Sequence, residues 1–243
     1  MKVQLFITCL GENFYSNALK DMVRVLERLG VQCEFPDGQT CCGQPFYNGG
    51  LQSQTLGLAR NWLRAFGQTD GYIVAPSGSC AEFVRHRYPE IFPPDTPEHA
   101  LAKETAARTF EFSEFLTRVL KVTDVGARFP HTVTYHASCH TLRGIGLRDE
   151  PKQLLRAVRD LELVALNEEE TCCGFGGVFS VIYPEVSRAM MEAKVKHIEA
   201  SGAEYVAVGE PGCLMNIAGG LTKVNARVQP IHLIEILASD GAQ

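Results

Sequence analysis

Two cysteines stand side by side ahead of a glycine twice in the chain, at Cys41 and Cys42 in QTCCGQP and at Cys172 and Cys173 in EETCCGFGG. Adjacent thiols are awkward for a core and unnecessary for a turn, so their repetition points to chemistry. The other cysteines are Cys9, Cys33, Cys80, Cys139 and Cys213. A nearly constant offset superposes two sets of four: 130 residues from Cys9 to Cys139, 131 between the two pairs, and 133 from Cys80 to Cys213. Tyr72 in DGYIVAP maps onto Tyr205 in AEYVAVG at the same offset of 133. The chain reads as an internal duplication.

Four converging thiols suit an iron-sulfur cluster or a tetrahedral zinc, because both take thiolate sulfur. Structural zinc usually draws on local Cys-x-x-Cys knuckles, whereas each quartet here has a lone cysteine, a gap of roughly thirty residues, the pair, and roughly forty more. Neighbouring side chains do not readily reach one small ion but can straddle a wider body. Glycine after the pair lets the backbone approach and turn N–H groups toward sulfur. Zinc at one or both quartets, in a scaffold without a redox role, stays open, as does a thiol enzyme acting on disulfides.

Each half must bring its four cysteines to one place. A short apolar run ends at the first cysteine, as VQLFITC and TVTYHASC, and Val3, Leu5 and Ile7 alternate as in a strand. Ala18, Leu19, Met22, Val23, Leu26 and Leu29 predict a helix with one apolar face, capped by Ser16 or Asn17 and stopped at Gly30. A second strand, in VQCEF or LELVAL, leads into the Cys-Cys-Gly loop, and a further helix and strand deliver Cys80 or Cys213. This alternation predicts an α/β fold of two pseudo-repeated lobes, each a small parallel-sheet βαβ unit with cysteines at the carboxyl ends of its strands. The lobes are expected at 1–125 and 126–243, with a linker at 121–132 marked by Gly126 and Pro130. Cys33 lies outside the repeat: it faces Val164 across the duplication and alternates with Val31 and Phe35, as a buried strand residue would.

The net charge of -5, with acids and bases scattered, argues against nucleic acid or an anionic membrane as a partner. The amino terminus, MKVQLFITCLGENFYS, turns polar too soon for a signal peptide, and no stretch is long and apolar enough for a membrane span. A cytoplasmic location is expected, where thiols stay reduced and nine cysteines do not imply disulfides.

The doubled pattern of Cys, long gap, Cys-Cys-Gly, long gap, Cys resembles the CCG cysteine-rich domain found in heterodisulfide reductase and in the glycolate oxidase iron-sulfur subunit. The segments FITCLG, CCGQP, GSC, YHASCH, ETCCGFGGVFSV and CLMNIAGGL, with the ending IHLIEIL, narrow the resemblance to the lactate utilization protein A family over nearly the whole chain. That resemblance implies an electron-transfer component of an iron-sulfur L-lactate dehydrogenase complex, oxidising lactate to pyruvate beside a ferredoxin-like iron-sulfur protein and a third lactate utilization protein. It implies Cys9, Cys41, Cys42 and Cys80 as ligands of one centre and Cys139, Cys172, Cys173 and Cys213 as ligands of the other. The reductase branch carries a fifth thiol three residues before the last cysteine; here Ser77 and Glu210 stand there, so four thiolates per site favour two [4Fe-4S] cubanes.

His136 and His140 flank Cys139 and are candidates for hydrogen bonds to a cluster or contact with a substrate carboxylate. Arg143 and Arg148 are candidates for pairing with a small carboxylic acid, L-lactate included, or for ordinary surface positions. The glycines of GFGG follow a cysteine pair and not a first strand, which argues against a dinucleotide loop.

Overall fold

Val3 and Leu5, the apolar residues that mark the first strand, are buried in β1 (Lys2–Leu5), which lies inside a parallel sheet. The computed structural model describes residues 1–241 and divides into two units, Met1–Phe115 and a second beginning at Leu116. In the first unit β1 is followed by α1 (Cys9–Phe14), α2 (Ser16–Arg28), β2 (Gln32–Glu34), α3 (Gln44–Asn48) and α4 (Gln52–Phe66). The unit continues with β3 (Tyr72–Ala75), α5 (Gly78–Ile91), α6 (Pro97–Ala107), β4 (Thr109–Glu111) and α7 (Phe112–Glu114). The second unit holds β5 (Thr132–His136), a π-helical segment at His140–Ile145, α8 (Glu150–Arg156), β6 (Glu162–Leu163) and α9 (Val178–Ile182). It ends with α10 (Pro184–Ala200), β7 (Tyr205–Val208), α11 (Pro211–Lys223), β8 (Gln229–His232) and α12 (Leu233–Ala238).

Each unit is an α/β lobe around a four-stranded, all-parallel sheet, in the order β2-β1-β3-β4 and β6-β5-β7-β8. The duplication holds residue by residue: Tyr72 stands opposite Val3, and Tyr205 opposite Val133, 130 residues further on. Strand order reverses between the first and third strands of each sheet, where loops part at the carboxyl ends and leave room for a ligand. Each lobe has one strand more than the sequence reading supplied, β4 and β8, whose residues TFE and QPIH carry no alternating apolar run.

The amphipathic helix is α2, with Ala18, Leu19, Met22, Val25 and Leu26 buried; Val25 takes the place expected for Val23. It begins after Tyr15, without a side-chain cap from Ser16 or Asn17, and stops at Gly30, whose φ of 74° suits glycine. The interior of the first lobe is aromatic. Trp62 stacks on Phe66 with centroids 4.5 Å apart and meets Phe6 and Tyr88 edge-on at 5.7 and 5.3 Å. Residues 121–132 belong to the second lobe: Val125, Ala127 and Phe129 are buried, and Arg128 bridges to Arg159 and Asp240. Burial pushes the Glu111 carboxyl up to about 8, so near neutrality it holds a proton beside Glu114, which is buried and paired with the half-buried Arg85.

Candidate metal centres

The lone cysteines sit in the first turns of capped helical segments. Thr8 Oγ accepts from Gly11 N ahead of α1, and Ser77 Oγ accepts from Cys80 N at the start of α5. Ser138 Oγ accepts from Thr141 N beside Cys139, and the Glu210 side chain accepts from Gly212 N at the start of α11. Capping explains why an oxygen-bearing side chain precedes each of these cysteines. It also explains Ser77 and Glu210, three residues before the last cysteine of each quartet. Ser77→Ala is expected to cost about 1 kcal/mol in stability by removing a cap while the bound metal per chain stays at the wild-type value. Metal analysis beside thermal unfolding checks this, and loss of one centre would make the hydroxyl a ligand.

The cysteine pairs lie on loops that turn through glycine. Gly43 and Gly174 adopt φ of 92° and 89°, and their N–H groups each approach the sulfur two residues earlier at 3.4 Å. Within the first quartet Cys41 Sγ lies 3.6 Å from Cys9 Sγ, and Cys42 Sγ lies 3.6 Å from Cys80 Sγ. Cys42 and Cys80 are buried, while Cys9 and Cys41 are half-buried and border a cleft of about 250 Å³. Hydrogen bonds from Cys42 and Cys9 pull the Cys41 thiol down to about 3, and the same contacts push Cys9 and Cys42 up. Tyr88 Oη donates to the Cys42 carbonyl at 2.8 Å, and the Gln39 amide ties the loop to β1 through Leu5 O and Ile7 N.

The second quartet repeats this plan. Cys173 and Cys213 are buried, Cys139 and Cys172 are half-buried, and Cys172 is the thiol held low, by Cys139 and then Cys173. Asn216 Nδ2 donates to the Cys173 carbonyl at 2.8 Å, as Tyr88 does in the first lobe. Two groups have no counterpart there. Lys194, fully buried, donates from Nζ to the carbonyls of Glu168 and Glu169 just before the pair, and burial lowers its affinity for a proton. His136, also fully buried, ends β5 with a ring nitrogen, Cys173 Sγ and Cys213 Sγ all within 4.8 Å of one another. Burial, then the nearby Lys194, lowers its ring to about 3, so it is neutral.

The remaining candidates separate by their contacts. His140 opens the π-helical segment, Arg143 Nη1 donates to Glu170 O at 3.3 Å, and Arg148 lies 3.9 Å from the Glu170 carboxylate at the surface. In GFGG the Phe175 ring covers Gly212, so the run fixes the cysteine loop against α11. Cys33 is half-buried because β2 is an edge strand, and burial raises its thiol to about 11. Sequence reasoning missed Lys194, Gln39 and Tyr88, which carry no motif; the only signal is that each duplicated loop must be held by something.

Among the described residues no helix is long and apolar enough to cross a membrane. The CCG cysteine-rich domain family matches residues 3–85 and 133–218, one copy in each lobe. The chain is 46% identical over 237 residues to lactate utilization protein A of Geobacillus thermodenitrificans and 45% identical over 237 residues to that of Geobacillus kaustophilus, covering 98% of each chain in both cases. The crystal structure of a hypothetical protein from Helicobacter pylori superposes with a TM-score of 0.62 at 12% identity, covering all of this chain and 49% of that one, a likeness of fold. With both cysteine-rich copies matched and this identity sustained from end to end, the chain belongs to the lactate utilization protein A family.

Proposed function

We propose that the chain is an iron-sulfur electron-transfer subunit in the oxidation of L-lactate to pyruvate, each lobe holding one cluster on four thiolates. The observation that carries this reading is the gathering of the four cysteines of each CCG copy at one place in its lobe, two of them an adjacent pair on a glycine-turned loop. Four thiolates with backbone N–H groups turned toward sulfur make a ligand set for an iron-sulfur cluster. Loaded clusters would supply one-electron transfer at potentials set by charge, burial and hydrogen bonds to sulfur.

The chain's own residues divide that work. The buried Cys42–Cys80 and Cys173–Cys213 pairs anchor each centre inside its lobe, and the half-buried cysteines leave one edge within reach of a partner. Val181, Ile182, Tyr183 and Val186 form an exposed apolar strip just after the second cysteine loop, suited to contact with a partner protein such as a ferredoxin-like iron-sulfur protein or a third lactate utilization protein. The first cleft is lined by Glu12 and Asp37 beside Cys9 and Cys41, which repels a carboxylate substrate there. A carboxylate substrate is therefore disfavoured at this cleft.

A strain lacking the chain is expected to grow on glucose and to fail on L-lactate as sole carbon source. The wild-type chain should restore growth, and the Cys42→Ser chain should not. Undiminished growth on lactate without the chain would overturn the proposal.

A further inference from the structure

The two lobes differ at the position three residues before the first cysteine of each quartet. His136 stands three residues before Cys139, as Phe6 stands three before Cys9. Phe6 is fully buried against Trp62 and Phe66, as an apolar side chain at the end of an internal strand should be. His136 is equally buried, yet neither ring nitrogen has a hydrogen-bond partner among the described residues. An imidazole left unsatisfied inside a protein is costly, so the position calls for something that binds nitrogen. The groups it meets are Cys173 and Cys213, the two buried thiols of the quartet.

We propose that His136 is a metal ligand of the second centre, so that the two lobes hold chemically different centres. The proposal rests on reading the second quartet as a metal centre, and it changes the ligand set from four sulfurs to a mixture of nitrogen and sulfur. One imidazole nitrogen joins Cys173 and Cys213 on the inner side, with Cys139 and Cys172 supplying the outer side. Neutral imidazole is a common ligand for both iron and zinc, and Lys194 Nζ, which donates to the Glu168 and Glu169 carbonyls, holds the loop that carries Cys172 and Cys173. The first lobe offers no nitrogen donor at the matching place.

The test uses the full-length chain purified without oxygen, with iron, zinc and sulfide measured first. If iron and sulfide are present, pulsed electron paramagnetic resonance of the dithionite-reduced chain should show a strongly coupled nitrogen that changes when the chain is made with ¹⁵N-histidine. That coupling should vanish in His136→Phe, which copies the first lobe, and persist in His140→Phe. His136→Gln serves if the phenylalanine variant fails to fold. If zinc is present without sulfide, X-ray absorption at the zinc edge should show imidazole scattering that the same variants remove or keep. Zinc with imidazole would support the ligand and overturn the iron-sulfur reading. Iron without strongly coupled nitrogen would overturn the ligand and leave that reading standing. A chain that binds neither metal would overturn both.

Discussion

Replacing Cys42 or Cys173 by serine is expected to remove about half of the metal bound per chain, as loss of one anchoring thiolate empties one of two centres. Both residues are almost completely buried, and Cys42 Sγ is 3.6 Å from Cys80 Sγ, so the serine hydroxyl would replace a soft donor at the inside of the site. Cys33→Ser should leave the metal unchanged. Cys33 lies on edge strand β2, and its sulfur meets the Val31 carbonyl at 4.0 Å, not another thiol. Metal analysis of the three anaerobically purified variants decides the point, since air exposure would oxidise the thiols and blur the comparison. Equal loss in all three would mean that the two quartets are not separate centres.

Gly174→Ala is expected to disable the second centre far more than Gly43→Ala disables the first. Both glycines occupy the left-handed region, where any other residue pays about 1–2 kcal/mol. At Gly43 that strain is the whole cost, because a methyl group would meet Leu58 at an ordinary 3.5 Å. At Gly174 the methyl would lie 2.5 Å from the Ser187 carbonyl and 3.0 Å from Met190 Cβ, so backbone of α10 must move with the loop. The combined cost should exceed about 3 kcal/mol, and it falls on the residue after the cysteine pair. The expected result is a folded Gly43→Ala chain near wild-type metal content, and a Gly174→Ala chain that loses the second centre and melts several degrees lower. Matching behaviour of the two variants would show that the loops are not built as these contacts indicate.

The parts of this molecule legible in its sequence are those that repeat or alternate. Cysteine spacing exposed the duplication, Val3 and Leu5 marked β1, and the spacing from Ala18 to Leu26 marked the buried face of α2. The fourth strands were not legible because TFE and QPIH carry no alternating apolar run. A weaker repeat was there to be found: EFSEFL at Glu111 and HLIEIL at His232 occupy matching places, each residue capping the helix after its strand. Residues 121–132 resembled a linker because of Gly126 and Pro130, but alternate burial of Val125, Ala127 and Phe129 ties them into the second lobe. Cap positions could not be separated from ligand positions by spacing alone, as Ser77 and Glu210 illustrate. His136 and Phe6 could be aligned from the sequence, but only burial without partners gives the histidine its significance.

The central claim is that each lobe assembles an iron-sulfur cluster on its four cysteines, and the content of iron, acid-labile sulfide and zinc in the anaerobically purified chain tests it most directly. Two [4Fe-4S] clusters require about eight iron and about eight sulfide per chain, with little zinc. Stoichiometric zinc without sulfide would contradict the claim and make the lobes a zinc scaffold.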